Sequence, residues 1–545
     1  MKPYFFYFIA VLALTSCAPE KISADLLVKN ATIYTVNETF DTANAFVVKD
    51  GKILEIGLKP ELELKYSLKN TYDANGATIV PGLIDAHAHL YNLGLAKQQV
   101  DLMGTTSYDE VLERVQAFQN DKNVAYITGR GWDQNDWEVK EFPTRKELDT
   151  LFPDTPVALT RVDGHAMIIN SKAIELAGIT PKTKMEGGEV QLDSLGQLTG
   201  ILIDSPMALV RQSIPKPSKE FSIQALKEAE QICLEHGLTT VNDAGLSRNI
   251  IELIDSLQQA KELKIKVYAM VSNSEKNLDY YLNNGVISTD RLTVRSVKVY
   301  ADGALGSRGA ALREAYSDQP GHFGAMITPA DSLGKLADRL ARAGYQMTTH
   351  AIGDSANVAV LRAYINALEG YPDARWKVEH AQIVTPTDFD MFSKNIIPSI
   401  QPTHATSDMY WAEDRVGKER IKGAYAYKTL LDKAGIVVLG TDFPVEKVNP
   451  MHTFYAAVAR KDLSQFPEGG FRLEDALSRE ETLKGMTIWA AYSNFEEASK
   501  GNIATGKSAD FTVLDRDIMT IPADSIPKTK VLATFINGEK VFSKE

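Results

Sequence analysis

Apolar and polar positions along this chain fall into two regimes. Near the start, DLLVKNATIYTVN and ANAFVVKDGKILEIG alternate apolar with polar residues over Ala24–Ile56, the period of half-buried strands, and Asp50-Gly51 marks a hairpin turn. The pattern returns at the far end in ADFTVLDRD and KVLATFINGEKVF, with Asn537-Gly538 as the turn. Two strand-rich ends around a long middle predict one small β domain built from both chain ends. The middle reads differently: short apolar runs are each followed by a stretch of helical period, as at Ala225–His236, Asn249–Leu263, Ser332–Ala343 and Ala356–Leu368. Strands are expected to end near Asp85, Asp243, Val271, Asp302, His350, His380, Gln401 and Asp442. Eight such βα units predict an α/β chain with a (β/α)8 TIM barrel. Between the first and second strands, Leu90–Thr239 is too long for one helix, so a subdomain is expected to be inserted there, containing the strand-like VAYITGRGW and PVALTRVDGH.

The expected division is therefore a β domain from 24–80 and 496–545, and a barrel over 81–495 with its insertion at about 92–220. A length of 545 residues accommodates this, and 44% apolar with 24% charged residues is an ordinary globular balance. A net charge of -12 argues against nucleic acid and anionic membrane surfaces as partners. Residues 1–17, MKPYFFYFIAVLALTSC, read as a leader: Lys2, then an apolar run from Tyr4 to Leu14 too short to span a bilayer, then small residues before Cys17. This order resembles the lipobox of bacterial lipoproteins. It implies a signal peptide over 1–16, export to the bacterial cell envelope, and a membrane contact made only through a lipid on Cys17. The other cysteine, Cys233, lies in a helical run and is expected to fill core space.

Nine histidines are present, and their placement carries the chemistry. The first strand ends IVPGLIDAHAHL; residues two apart on a strand face the same way, so His87 and His89 present their imidazoles together. An isolated His-x-His is weak evidence for a metal site. Here, however, His350 ends QMTTH, His380 ends WKVEH, and Asp442 ends GIVVLGTD, all at strand ends expected to meet at the C-terminal mouth of a barrel. Imidazole and carboxylate donors suit zinc and similar divalent ions. Lys298 sits inside the apolar strand RSVKVYADG, where a charged amine is costly. A neutral amine there can combine with carbon dioxide, and the resulting carbamate can bridge two metal ions.

These stretches, with GRGWDQNDW, TRVDGHAMIINSKAIELAGI, VKVYADGALGSRGAAL, THAIGDSAN, SIQPTHA and GTDFPVEKVNP, resemble the amidohydrolase superfamily, and more closely the amidohydrolase family 3 branch that includes N-substituted formamide deformylases. The resemblance runs from about Asp25 to Lys540. It implies a TIM barrel beside a small β-sandwich made from both chain ends. It also implies a metal site of His87, His89, Lys298, His350, His380 and Asp442 for divalent ions, zinc first: two if Lys298 is carboxylated, one if it is not. Asp442 is then also the catalytic acid and base in hydrolysis of a carbon–nitrogen bond in a small amide-like substrate. Three further residues are expected at the substrate: His165 by the resemblance, His404 after the seventh strand, and Arg308 as partner to a substrate carboxylate. The competing readings are an esterase or lactonase on the same metal site and a non-catalytic ligand-binding lipoprotein. A homodimer is compatible with the sequence.

Overall fold

The computed structural model describes residues 21–185 and 188–544; the leader and Cys17 lie outside the described residues. Its centre is a sheet of eight parallel strands taken strictly in chain order: β1 (Leu83–Ala88), β2 (Leu238–Leu246), β3 (Lys266–Ser272), β4 (Leu292–Tyr300), β5 (Gln346–Ala351), β6 (Trp376–His380), β7 (Ile396–Ile400) and β8 (Val438–Leu439). Helices such as Lys219–Glu235, Arg248–Gln259, Ala330–Ala343 and Asp354–Ala367 separate them. This is the (β/α)8 barrel that the alternating pattern predicts.

The seam between β8 and β1 is closed by backbone bonds just beyond the short β8. Asp442 N donates to His87 O at 2.8 Å, and His89 N donates to Phe443 O at 2.9 Å. Gly440 permits this approach, because a Cβ there would fall 2.5 Å from His87 N. The Asp85 carboxylate reinforces the seam, accepting from Thr441 Oγ1 at 2.7 Å and from His87 N at 3.1 Å. The seam thus fixes the two segments that carry His87, His89 and Asp442.

Both chain ends contribute to one eight-stranded sheet, in which Phe511–Leu514 runs antiparallel to Thr78–Pro81. Its strands alternate as the pattern demands: Phe46 and Val48 pack on one face with Phe511 and Phe535, while Ala45 and Val47 pack on the other with Leu62 and Tyr66. Between β1 and β2 lies a separate six-stranded sheet that includes Ile127–Trp132 and Val157–Arg161, the two segments expected as strands. Trp132 and Trp137 are buried in its core, their indole N–H groups donating to Leu159 O and Thr105 O. Cys233 is fully buried in the barrel's outer core.

Candidate metal centre

The barrel strands aim alternate residues inward. On β1 these are Asp85, His87 and, just past its end, His89, while Ile84 and Ala86 pack outward against Ile397 and Val438. On β4, Lys298 points in while Val297 and Val299 join the outer core. The same alternation on β6 makes Lys377 and Glu379 interior residues, both fully buried. His380 should then face outward, but its φ of +73° breaks the strand and turns the ring into the mouth. Asp442 likewise sits at φ +64°. Left-handed backbone at a non-glycine residue costs about 1–3 kcal/mol, and here it aims two ligand-type side chains at one point.

Three imidazoles are held the same way. His87 Nδ1 lies 2.6 Å from Glu379 Oε2, His89 Nδ1 lies 2.9 Å from Ala244 O, and His380 Nδ1 lies 2.7 Å from Gln401 Oε1. The carboxylate and the carbonyl can only accept, and Gln401 spends its amide N–H on Ser399 O. In each ring the proton is therefore on Nδ1, and Nε2 offers its lone pair. These lone pairs converge. Nε2 of His89 is 3.2 Å and Nε2 of His87 is 3.5 Å from Asp442 Oδ1, and Lys298 Nζ is 3.1 Å from His87 Nε2. His350 packs 4.5 Å from His380, ring centre to ring centre.

Electrostatics favour the ligand form of three of these rings, while His89, beside the Asp442 carboxylate, is raised above its ordinary value against the effect of its burial. Burial holds the His87 and His380 rings below their ordinary pKa, and burial with the nearby Lys298 charge brings His350 to about 3. Burial alone would raise the Asp442 carboxyl, but the imidazoles gathered around it, His89 foremost, hold it well below the usual range. Burial also lowers the Lys298 ammonium, which forms no ion pair among the described residues. The donor set fits a divalent cation. His87, His89 and Asp442 have ligand atoms within 4.8 Å of one another, as do His380, His404 and Asp442. Asp442 Oδ1 and His404 Nε2 are buried with no hydrogen-bond partner among the described residues.

The structure does not bring every expected residue here. His404 arrives: it lines the cavity, its ring stacked on His380 and its Nε2 3.6 Å from Asp442 Oδ2. His165 does not: its side chain is 74% exposed on the inserted subdomain and bonds Asp204 at 2.7 Å. Nor does Arg308, whose guanidinium is bound to Asp318 at 2.8 Å and lies outside the cavity lining. Glu379 was not anticipated. The signal was present: a polar residue two places from Lys377 in an otherwise apolar strand shares its inward face.

A family model described as the amidohydrolase family matches residues 70–542. The chain belongs to this family. Among its relatives, the Bacillus subtilis protein YtcJ is 32% identical, with 94% of this chain and 98% of that one covered. The N-substituted formamide deformylase of Arthrobacter pascens is 26% identical, over 94% and 97%. The crystal structure of a metal-dependent hydrolase from Pyrococcus furiosus superposes with a TM-score of 0.76 at 28% identity, covering 91% of this chain and all of that one. This amidohydrolase is therefore an enzyme, a hydrolase whose buried histidines and aspartate are suited to a metal ion.

In such sites the carboxylate behind a ligating histidine fixes the ring and raises its basicity. Glu379→Gln should weaken metal affinity by about 10–100-fold, read by competition with a chromogenic chelator. An unchanged affinity would mean that His87 is not a ligand.

Proposed function

We propose that this amidohydrolase cleaves a carbon–nitrogen bond in a small amide-like molecule, forming a carboxylic acid and an amine. The observation that carries the reading is the convergence of the Nε2 atoms of His87 and His89 on Asp442 Oδ1, unpartnered among the described residues, with ligand atoms of His380, His404 and Asp442 also within 4.8 Å of one another. The deformylase relative supports amides, and formamides among them, as the substrate class. His87, His89, His350, His380 and Asp442 would hold a divalent ion, zinc by the chemistry of these donors, which when bound would supply Lewis acidity to water and to an acyl oxygen.

The chain's own residues do the rest. Asp442, kept ionised, accepts a proton as the water oxygen bonds to the acyl carbon. The C–N bond then breaks, and Asp442 returns the proton to the departing nitrogen. Glu379, Ala244 and Gln401 hold the rings so that no reorganisation accompanies the step. Burial lowers the Lys298 ammonium, the direction that favours the free amine carbamate formation needs, and it forms no ion pair among the described residues; we assign it that role.

The test is a screen of N-substituted formamides, N-acyl amino acids and cyclic amides against metal-loaded enzyme, with amine release as the readout. Release of amine supports the reading; turnover of esters alone contradicts it. On the lipobox resemblance we also propose that the mature protein is anchored through Cys17. Cys17→Ala should abolish fatty-acid labelling and move the protein to the soluble fraction, and labelling that persists would exclude the anchor.

A further inference from the structure

The cavity above the metal ligands has a volume of about 470 Å3, the size range of a small-molecule site. It is marked as a ligand site independently of its outer wall, because Asp442, 6% exposed, lines it with Oδ1 unpartnered. Away from the ligands its wall has two characters. One part is apolar and aromatic, from Tyr300, Leu305, Ile352, Trp411 and Val445. The other is acidic, from Asp408 and Glu446.

These two carboxylates are oriented by neutral donors only. Tyr425 Oη donates to Asp408 Oδ2 at 2.8 Å and Gln382 Nε2 donates to the same oxygen at 3.2 Å. Ser407 Oγ donates to Glu446 Oε1 at 2.7 Å. Neither forms an ion pair with a lysine or arginine among the described residues, in contrast to Asp318 nearby, which holds both Arg308 and Arg415. Lys298 is the single lysine or arginine among the described residues lining the cavity, and it lies at the metal end against His87. Burial raises the Asp408 carboxyl, and the Glu446 charge pushes it the same way. A cation placed between them would relieve that repulsion, whereas an anion would add to it in a poorly solvated space.

We infer that this cavity selects substrates whose part remote from the cleaved bond is apolar and ends in an ammonium or another nitrogen donor, and rejects those ending in a carboxylate, with Asp408 and Glu446 as the specificity-determining residues. The inference rests on the hydrolase reading above and names the substrate class for it. It removes N-acyl amino acids from the favoured candidates, since the arginine expected to receive their carboxylate is paired elsewhere.

The test is binding to metal-loaded protein of three hydroxamates of equal chain length: aminocaproic hydroxamate, caproic hydroxamate and adipic monohydroxamate. Calorimetry should give affinities in that order, with the first at least roughly tenfold tighter than the last, a factor that corresponds to about 1.4 kcal/mol. Asp408→Asn and Glu446→Gln should each shrink this ratio while leaving the neutral caproic compound bound as before, which confirms that the site is intact. Equal or tighter binding of the adipic compound in wild type would overturn the inference, as would a ratio unchanged in both variants. Binding in the expected order by a protein that releases no amine from any amide would keep the charge selection and overturn the proposed reaction. Failure of all three to bind would overturn both.

Discussion

Asp442→Asn should lower kcat/KM on any accepted amide by at least about 10³-fold, the upper part of the range for loss of a general acid–base group, with little change in Tm. The asparagine keeps the volume, and the seam bond at this position is made by the backbone, Asp442 N donating to His87 O, so the barrel closes as before. It cannot take a proton from water, and it withdraws the negative charge on which His87 and His89 converge. Two functions are lost together, so the effect exceeds that of removing a single ligand. Steady-state turnover with metal content measured on the same sample separates them. Full activity in the asparagine variant would exclude Asp442 from the chemistry, and loss of metal without loss of residual turnover per bound ion would leave it a ligand only.

The second large effect is at Lys298. Lys298→Ala should reduce turnover by roughly 10²–10³-fold, on the scale of removing an electrostatic group from an active site, and should lower metal stoichiometry. Bicarbonate does not restore this variant, which has no amine to carboxylate, but a short carboxylate such as propionate should recover part of the activity by filling the space with an anion. A lysine with a purely structural role predicts a lower Tm and no rescue by any carboxylate. In wild type, activity should fall in carbon dioxide-depleted buffer and return with bicarbonate. Insensitivity to both additions would leave a single-ion site of imidazoles and Asp442.

Much of this site is legible from local spacing. His87 and His89 share an inward face because a strand has a two-residue period, and no tertiary information is needed to see it. The barrel is legible for the same reason, since eight apolar runs alternate with helical stretches. What is not legible depends on contacts between distant segments. Arg308 is near the mouth in sequence terms, after β4, but Asp318 ten residues later and Arg415 far along the chain decide where its charge goes. His165 follows a strand of the inserted subdomain, and nothing in the chain's pattern says which way that subdomain turns its loops. The place of His404 after β7 is legible, but its stacking on His380 and the approach of its Nε2 to Asp442 depend on packing between distant segments. His380 itself obeys no strand period, since its left-handed backbone, not alternation, points it inward. Glu379 was open to inference from Lys377 two places earlier, but its role behind His87 requires β1 and β6 to face each other across the barrel.

The most direct test of a metal-dependent amide hydrolase is to follow amine release from an N-substituted formamide or another accepted amide while metal is removed by chelation and returned stoichiometrically. Activity should fall to background as the ion leaves, return in proportion to zinc added, and fail to return in a His87→Ala/His89→Ala variant that keeps its fold by circular dichroism. Amide cleavage that survives in metal-free protein, or that is restored by zinc without those two imidazoles, would contradict the account.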